Sequence, residues 1–532
     1  MLIKCTGPER FLTDPAKISP WQNLTEWRLN DNLYLLLRRH FPADPNAPWL
    51  VTPEGDARYY SEIDDVTAHY AGALRNLGLQ AGGRLLAQVD KSPEVLLLYL
   101  ATIRLGAIFV PLNTAYTPSE LAYFLNDATP RLFVVRPENA SALQESASVV
   151  GATLITLGSN GEGTLIDAVA ESGPYTSVAE LGADDIASII YTSGTTGRSK
   201  GAMLSHGNLS SNALTLIDLW GFTENDVLLH ALPIYHVHGL YVAVHCAMLR
   251  GIPMRFLPRF DSDEVIRQLS SVTVMMGVPT FYTRLMDAPE FTRDLCQHMR
   301  LFISGSAPLL AQTFAAFFAH TGHRILERYG MSEASMIASN PLEGERIAGT
   351  VGFALPGVTL RVCNAEHRTV TDGETGVLQM RGPNVFKGYW QMPEKTASEF
   401  TDDGFFISGD MATMDGQKRI RIVGREKDLV ISGGLNVYPK EIEDAMDVFE
   451  GVNETAVIGV PHADLGEGLV AVICPLPGAV VDPDALITQL KTQLAGFKVP
   501  RRIFTVDSLP RNAMGKVQKN VLRERYAQAF DS

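Results

Sequence analysis

The chain is 532 residues long, 46% apolar and 20% charged, with a formal net charge of −14 (45 basic against 59 acidic side chains). That length exceeds one ordinary core, so two or more domains are expected. The acidic balance argues against a general nucleic-acid binder or an anionic-membrane binder, but leaves small anionic substrates open, because local cations decide those.

Five cysteines (Cys5, Cys246, Cys296, Cys363 and Cys474) are scattered and form no Cys-x-x-Cys pair. A disulfide framework or structural zinc is not expected, and a reducing, cytoplasmic setting fits. The first twenty residues mix Lys4, Glu9, Arg10 and Asp14 without an apolar centre, unlike a secretory leader. The most apolar run, 95–112, is broken by Arg104 and Gly106, so no membrane span is expected.

Residues 1–30 read as an irregular arm. Apolar residues at helical spacing predict helices over 33–41 and 60–77, the second through Ile63, Val66, Tyr70, Leu74 and Leu77. A strand over 84–89, a helix over 92–106, a buried strand over 108–111, a helix opening at Thr117 and a strand over 131–135 follow. This alternation predicts a parallel sheet with crossover helices. Residues 137–184 carry no clear motif. Strands over 226–232, 272–278, 301–304 and 324–329 alternate with helices opening at Gly239 and Pro279. Beyond 350 short strands between turns, at 360–362, 376–381, 404–411 and 419–423, suggest a small β subdomain of barrel-like character. The last hundred residues alternate helix and strand again, as a small lid would. The expected class is therefore α/β: a large N-terminal domain (1–425) of two α/β subdomains plus a β subdomain, then a small mobile α+β C-terminal domain (426–532).

The stretch Ile189 to Gly201 stands out. Its β-branched and aromatic start breaks into Thr192, Ser193, Gly194, Thr195, Thr196 and Gly197, then Lys200. Glycines bring backbone N–H groups close to a ligand, hydroxyls donate, and the lysine adds charge, so the stretch reads as a polyphosphate cradle. It is not the common P-loop, because Gly194 and Gly197 are three apart and no hydroxyl follows Lys200.

Tyr191 to Gly201 resembles the phosphate loop of the acyl-adenylate-forming superfamily of AMP-binding acyl-CoA synthetases. Tyr329-Gly330-Met331-Ser332-Glu333 resembles the next motif of that superfamily, with Ser where Thr is usual. The resemblance implies Ser332 on a phosphate, Glu333 as a Mg2+ ligand between carboxylate and phosphates, and Tyr329 flat on adenine. Gly305, Ser306, Ala307, Arg328, Gly330 and Met331 would frame the nucleotide. Asp410 and Arg425 resemble the ribose pair. Lys516, within Pro510-Arg511-Asn512-Ala513-Met514-Gly515-Lys516, resembles the C-terminal lysine that neutralises charge growing on the α-phosphate. Lys427 lies at the hinge position, about which the lid would bring Gly433 and Gly434 to the nucleotide for coenzyme A.

Segments at 230–240, 277–285, 301–310, 382–389 and 512–522 look like malonyl-CoA synthetases. His236 and Ser304 would border the acyl pocket. Arg284, on a helix after an apolar strand, would pair with the free carboxylate of a dicarboxylate, since burying that charge alone is costly. Its alternative is a surface arginine paired with Asp287 or Glu290. Ile337 and Ala338, where a more polar run is usual, keep methylmalonate and other short acids open. The expected reaction joins a small carboxylate to coenzyme A with ATP and Mg2+. The rivals are a ligase for another short-chain or aromatic acid, a stand-alone adenylation enzyme loading a carrier protein, and a nucleotide binder without catalysis. No nucleic-acid or membrane partner is expected, and monomer and homodimer both remain open.

Overall fold

Strands of four residues, buried on both faces, organise the first third of the chain. In the computed structural model the described residues are 30–192, 199–432, 435–462, 464–512 and 515–531. Among them one sheet runs in the order Thr153–Thr156, Leu132–Val135, Arg84–Gln88, Ile108–Pro111, Ile186–Thr192, Lys200–Ser205. Its first five strands are parallel. Ile108–Pro111 and Leu132–Val135 are buried at every position, which is why they read as continuous apolar runs rather than alternations. Thr117 and Glu120 form a reciprocal capping box at the start of Pro118–Ala128. The motif-poor stretch after 137 holds helices Ala140–Val149 and Thr164–Glu171. They bury only Leu143, Ala147 and Leu165, too few to print a period.

A second, nine-stranded sheet is centred on parallel strands Leu228–His230, Val274–Gly277, Leu301–Ser304 and Leu326–Met331. Their carboxyl ends share one rim, where open α/β sheets bind ligands. The helix expected from Gly239 begins instead as a wide π-turned run, His238–Val244, and tightens to α at His245–Arg250; such runs often lie at functional sites. One apolar cluster joins the two sheets through Leu96, Tyr99, Trp220, Tyr241 and Met336.

The β subdomain is a four-stranded antiparallel sheet, Thr359–Cys363, Gly376–Arg381, Phe406–Met414, Ile420–Arg425. The chain then passes through a single turn, Glu426–Asp428, into a fourth sheet built from Val430–Ser432, Leu435–Val437, Val452–His462, Gly466–Pro475 and Arg502–Thr505. This C-terminal unit has its own apolar clusters around Val457, Ile473 and Leu486 and around Ile458, Val472 and Leu522. The architecture is thus a large N-terminal α/β domain followed by a small α+β domain. No helix among the described residues is long and apolar enough to cross a membrane.

Candidate active site

The hydroxyl-rich loop joins two antiparallel strands, with Thr192 opposite Lys200. A P-loop would leave its strand for a helix; here the chain turns back into Lys200–Ser205. Thr192 is half-buried at the strand end. Ser193, Gly194, Thr195, Thr196 and Gly197 lie outside the described residues. The returning strand also bonds to 387–390: Trp390 N donates to Gly201 O at 2.7 Å, and Met203 N to Gly388 O at 3.0 Å. That pairing brings Tyr389 under Lys200, whose Nζ lies 4.2 Å from the ring centroid.

Lys200 Nζ donates to Glu399 Oε1 at 3.0 Å, as Lys395 does at 2.8 Å. The Tyr389 hydroxyl lies 2.6 Å from Glu399 Oε2 and 3.0 Å from Glu333 Oε1. Two carboxylates thus share one phenol and titrate oppositely. Burial raises the Glu333 pKa above its ordinary value, against Tyr389, Arg425 and Lys200. Glu399 is also pushed up by burial, but Lys395, Tyr389 and Lys200 together hold it below the usual value. Tyr389, Glu399 and Lys395 carry no local sequence signal, because only the fold brings them to Lys200.

Ser332 and Glu333 occupy the turn between Leu326–Met331 and Ser335–Ser339; Ser332 is half-buried and Glu333 buried. The register shift between Tyr329 and Gly330 presses Gly330 on the facing strand. A Cβ there would meet Ser335 O at 2.1 Å, so only glycine fits. Asp410 stands opposite Arg425 in the third sheet, and Arg425 Nε reaches Asp410 Oδ1 at 2.6 Å. The other Asp410 oxygen accepts from the Tyr329 hydroxyl. Tyr329 therefore spans from the second sheet to the third, a tie the sequence reading does not foresee.

At the rim of the second sheet, Ser306 takes a left-handed φ of 70° and its Oγ lies 3.2 Å from His238 Nδ1. Beside it the Arg328 guanidinium lies on Gly305, where a Cβ would come within 2.4 Å of Nη1. Arg328 is 2% exposed. Burial lowers its pKa to about 9, which leaves it cationic at neutral pH. His236 is lowered to about 3 by burial and then by Lys516; His238 is lowered well below its ordinary value by burial, then by Arg328. Ser304 Oγ and the Nε2 atoms of His236 and His238 are buried without a hydrogen-bond partner.

The C-terminal domain closes the site. A cavity of about 910 Å3 lies between the domains, lined by Thr280, Thr283, Ser306, Ala307, Arg328, Tyr329, Gly330, Asp410 and Arg425 on one side and by Lys440, Asp447, Arg511 and Lys516 on the other. Lys516 sits on a hairpin in which Asn512 N donates to Lys516 O at 2.9 Å and Lys516 N to Asn512 Oδ1 at 3.0 Å. Lys516 is exposed and is one of the residues lining this cavity. Removal from bulk water lowers its pKa, as does Arg425, against Asp410 and Glu333. Lys516 thus shares its cavity with Arg328, Asp410 and Arg425 of the N-terminal domain. The neighbouring Gly515 packs on Thr280: a Cβ at 515 would meet Thr280 Oγ1 at 3.5 Å. Lys427 is exposed in the inter-domain turn; Gly433 and Gly434 lie outside the described residues.

Arg284, expected to face the inner pocket, lies at the surface. On helix Pro279–Met286 the buried positions are Tyr282 and Leu285, and Thr280 and Thr283 face the cavity, which leaves Arg284 exposed and outside its lining. The guanidiniums that line the cavity are those of Arg328, Arg421, Arg425 and Arg511.

Among the described residues no group of three or more His, Cys, Asp or Glu forms a metal cage. Mg2+ is commonly held by one or two carboxylates plus substrate phosphates. Glu333, a single buried carboxylate whose charge burial disfavours, fits that pattern. When bound there, the ion would neutralise phosphate charge.

The models for the AMP-binding enzyme family and for the AMP-binding enzyme C-terminal domain match residues 37–390 and 441–516. The chain is 36% identical over 459 residues to the mitochondrial malonate–CoA ligase ACSF3 of Mus musculus, covering 79% of this chain and 78% of that protein. It is 34% identical over 477 residues to a feruloyl-CoA synthase of Amycolatopsis sp, covering 89% and 94%. Among solved structures it superposes on ATP-bound MatB from Rhodopseudomonas palustris with a TM-score of 0.92 at 52% identity, covering 94% of this chain and all of that one. A benzoate CoA ligase from Burkholderia xenovorans gives 0.85 at 26%, covering 92% and 99%. With a two-domain cleft lined by Asp410, Arg425 and Lys516, and with both family models matched, this chain belongs to the AMP-binding enzyme family and is an ATP-dependent, AMP-forming acyl-CoA ligase.

Proposed function

We propose that the acid is malonate, with methylmalonate as its nearest rival. Malonate–CoA ligase and MatB relatives support it, and so do the buried atoms without a hydrogen-bond partner, Arg328 Nε and Nη2, Ser304 Oγ and the Nε2 atoms of His236 and His238, which suit a polar acid better than a fatty or aromatic one. The observation that carries the mechanism is Lys516, on the small domain, lining the same cavity as Asp410 and Arg425 of the large one.

In the first step a malonate oxygen attacks the α-phosphorus of ATP. The bond to the β-phosphate oxygen breaks, giving malonyl-AMP and pyrophosphate. Lys516 neutralises charge at the α-phosphate. Lys200, the loop from Thr192 to Gly197 and the Ser332 hydroxyl hold the β- and γ-phosphates. Asp410 and Arg425 exchange their mutual ion pair for the ribose hydroxyls. Gly305, Ser306, Ala307, Tyr329, Gly330 and Met331 frame adenine, and Glu333 holds Mg2+. His236, kept neutral, borders the acyl group.

In the second step the 426–532 domain turns about Lys427, withdrawing Lys516 and presenting Gly433 and Gly434. The thiol sulfur of coenzyme A then attacks the acyl carbon, its proton is released, and AMP departs. AMP release with coenzyme A, measured across malonate, methylmalonate, succinate, acetate, a medium-chain and an aromatic acid, tests the reading. Malonate should have the highest kcat/KM; another acid ahead of it by more than about tenfold would refute the assignment.

A further inference from the structure

One side chain ties the carboxyl ends of the two large sheets together. Lys91 follows strand Arg84–Gln88 of the first sheet. Its Nζ donates to His230 O at 2.8 Å, lies 2.8 Å from His230 Nδ1, and sits 4.3 Å from the centroid of the Phe256 ring. His230 closes strand Leu228–His230 of the second sheet and is 1% exposed; its Nε2 lies 2.9 Å from Gly239 O. A carbonyl only accepts, so the Gly239 contact puts the ring proton on Nε2. Burial, and then Lys91, lower the His230 pKa well below its ordinary value and keep the ring neutral. Nδ1 therefore carries a lone pair and accepts from Lys91. Among the described residues no carboxylate is bonded to Lys91. Taking an ammonium out of water without a counterion costs stability, and an apolar side chain of that length would serve packing better.

What the tie holds is the wide turn. A side chain that inserts on a helix carbonyl breaks the i→i−4 ladder. His230 does so at Gly239, the second residue of the π-turned run His238–Val244. Gly239 is also pressed on Pro233, whose O a Cβ at 239 would meet at 2.1 Å. The loop 231–238 is thereby folded back on His230. It carries His236 and His238, and His238 Nδ1 lies 3.2 Å from the Oγ of Ser306 on the cavity wall. We infer that Lys91 and His230 are positioning residues for the acid: Lys91 fixes the His230 ring, the ring holds the Gly239 carbonyl out of the α-helical ladder, and the wide turn so formed sets His236 and His238 against the acyl group. The assignment rests on the placement of His236 at the acid in the reading above. The nucleotide groups are held independently, Lys200 by Glu399 and Asp410 by Arg425 and Tyr329. A fault in the tie is therefore felt by the acid and spares ATP.

The test uses the full-length enzyme and the acid that it turns over best in the panel above. In Lys91→Met, KM for the acid should rise roughly 10- to 50-fold, the worth of one or two buried hydrogen bonds, while KM for ATP stays within about threefold. His230→Phe, which loses both contacts, should do the same. His230→Gln, whose amide can donate to Gly239 and accept from Lys91, should stay within about threefold for both substrates. Because the two side chains act through one ring, Lys91→Met combined with His230→Phe should be no worse than His230→Phe alone by more than about twofold. Lys91→Gln, which keeps a donor, should show the same selectivity at smaller size, and it carries the comparison if Lys91→Met does not fold. Equal rises in KM for acid and ATP, no rise in either, multiplied losses in the double variant, or a His230→Gln enzyme as impaired as His230→Phe would each overturn the assignment. If the unaltered enzyme ligates none of the acids, the reading above fails and this assignment with it. If it ligates one while the Lys91 and His230 variants keep its KM, this assignment alone fails.

Discussion

The two sides of the cleft are held in different ways. On the large domain, sheet register and mutual bonds fix every group: Asp410 between Arg425 and Tyr329, Glu333 on Tyr389, Lys200 on Glu399. On the small domain, Lys516 rides a hairpin that is bonded chiefly to itself, through Asn512 and through Arg511 Nη1, which donates to Gly515 O at 2.6 Å. The small domain meets the large one at Gly515 on Thr280, at Gln312 Nε2, which donates to Asn453 O at 2.8 Å, and where helix Pro439–Met446 lies against strand Ile420–Arg425. A rigid half with a loosely docked partner suits a reaction that needs two catalytic faces in turn. It also separates the half-reactions experimentally.

The largest effect expected on the fixed side is from Glu333→Gln, which keeps the shape and removes the charge. Adenylation, read by ATP–pyrophosphate exchange, should fall by about 100-fold, with a higher Mg2+ requirement. Conversion of supplied acyl-AMP should change little; an equal fall in both steps would erase the contrast between the two sides. Asp410→Ala should raise KM for ATP by roughly 10- to 100-fold, the worth of a charge-assisted pair of bonds. An unchanged KM would remove the ribose assignment. Tyr389→Phe removes the hydroxyl that Glu333 and Glu399 share, and a loss of about 3- to 10-fold in adenylation is expected.

The smallest effect is on stability. Burial raises Glu327 from 4.5 to about 8, and its Oε2 has no partner. The folded state keeps a proton that the unfolded chain releases above 4.5, so this contribution is fully present below 4.5 and is lost as pH rises to about 8. Glu327→Gln should flatten that slope in thermal unfolding between those values, and an unchanged slope would contradict it. The small-domain side has a pH signature of its own. With its pKa lowered, Lys516 should lose its proton below the ordinary lysine value, so adenylation should decline on the alkaline side before thioester formation does.

What the sequence revealed depended on how local each feature is. Ile108–Pro111 and Leu301–Ser304 were legible to the residue, because fully buried short strands are unbroken apolar runs between turn residues. The return strand Lys200–Ser205 was not, because Gly201 and Ala202 have little strand propensity and their pairing partners lie at 387–390. The loop and motif residues Lys200, Glu333, Asp410, Arg425 and Lys516 were readable as a spaced set. The Tyr389–Glu399 support beneath them needs tertiary structure to appear. The exposed setting of Arg284 was not legible, because an apolar strand before a helix does not fix the helix's rotation: Tyr282 and Leu285 turn inward and carry position 284 out. Arg328 was within the quoted strand, but nothing local told that its guanidinium is buried and half unpaired.

The separability of the two sides is tested by following Lys516→Ala in both half-reactions under one set of conditions. Pyrophosphate release from ATP and malonate should drop by about 100- to 1000-fold, while thioester formation from supplied malonyl-AMP and coenzyme A stays within a few-fold of the unaltered enzyme. Unimpaired adenylation in that variant, or an equal collapse of both steps, would contradict it.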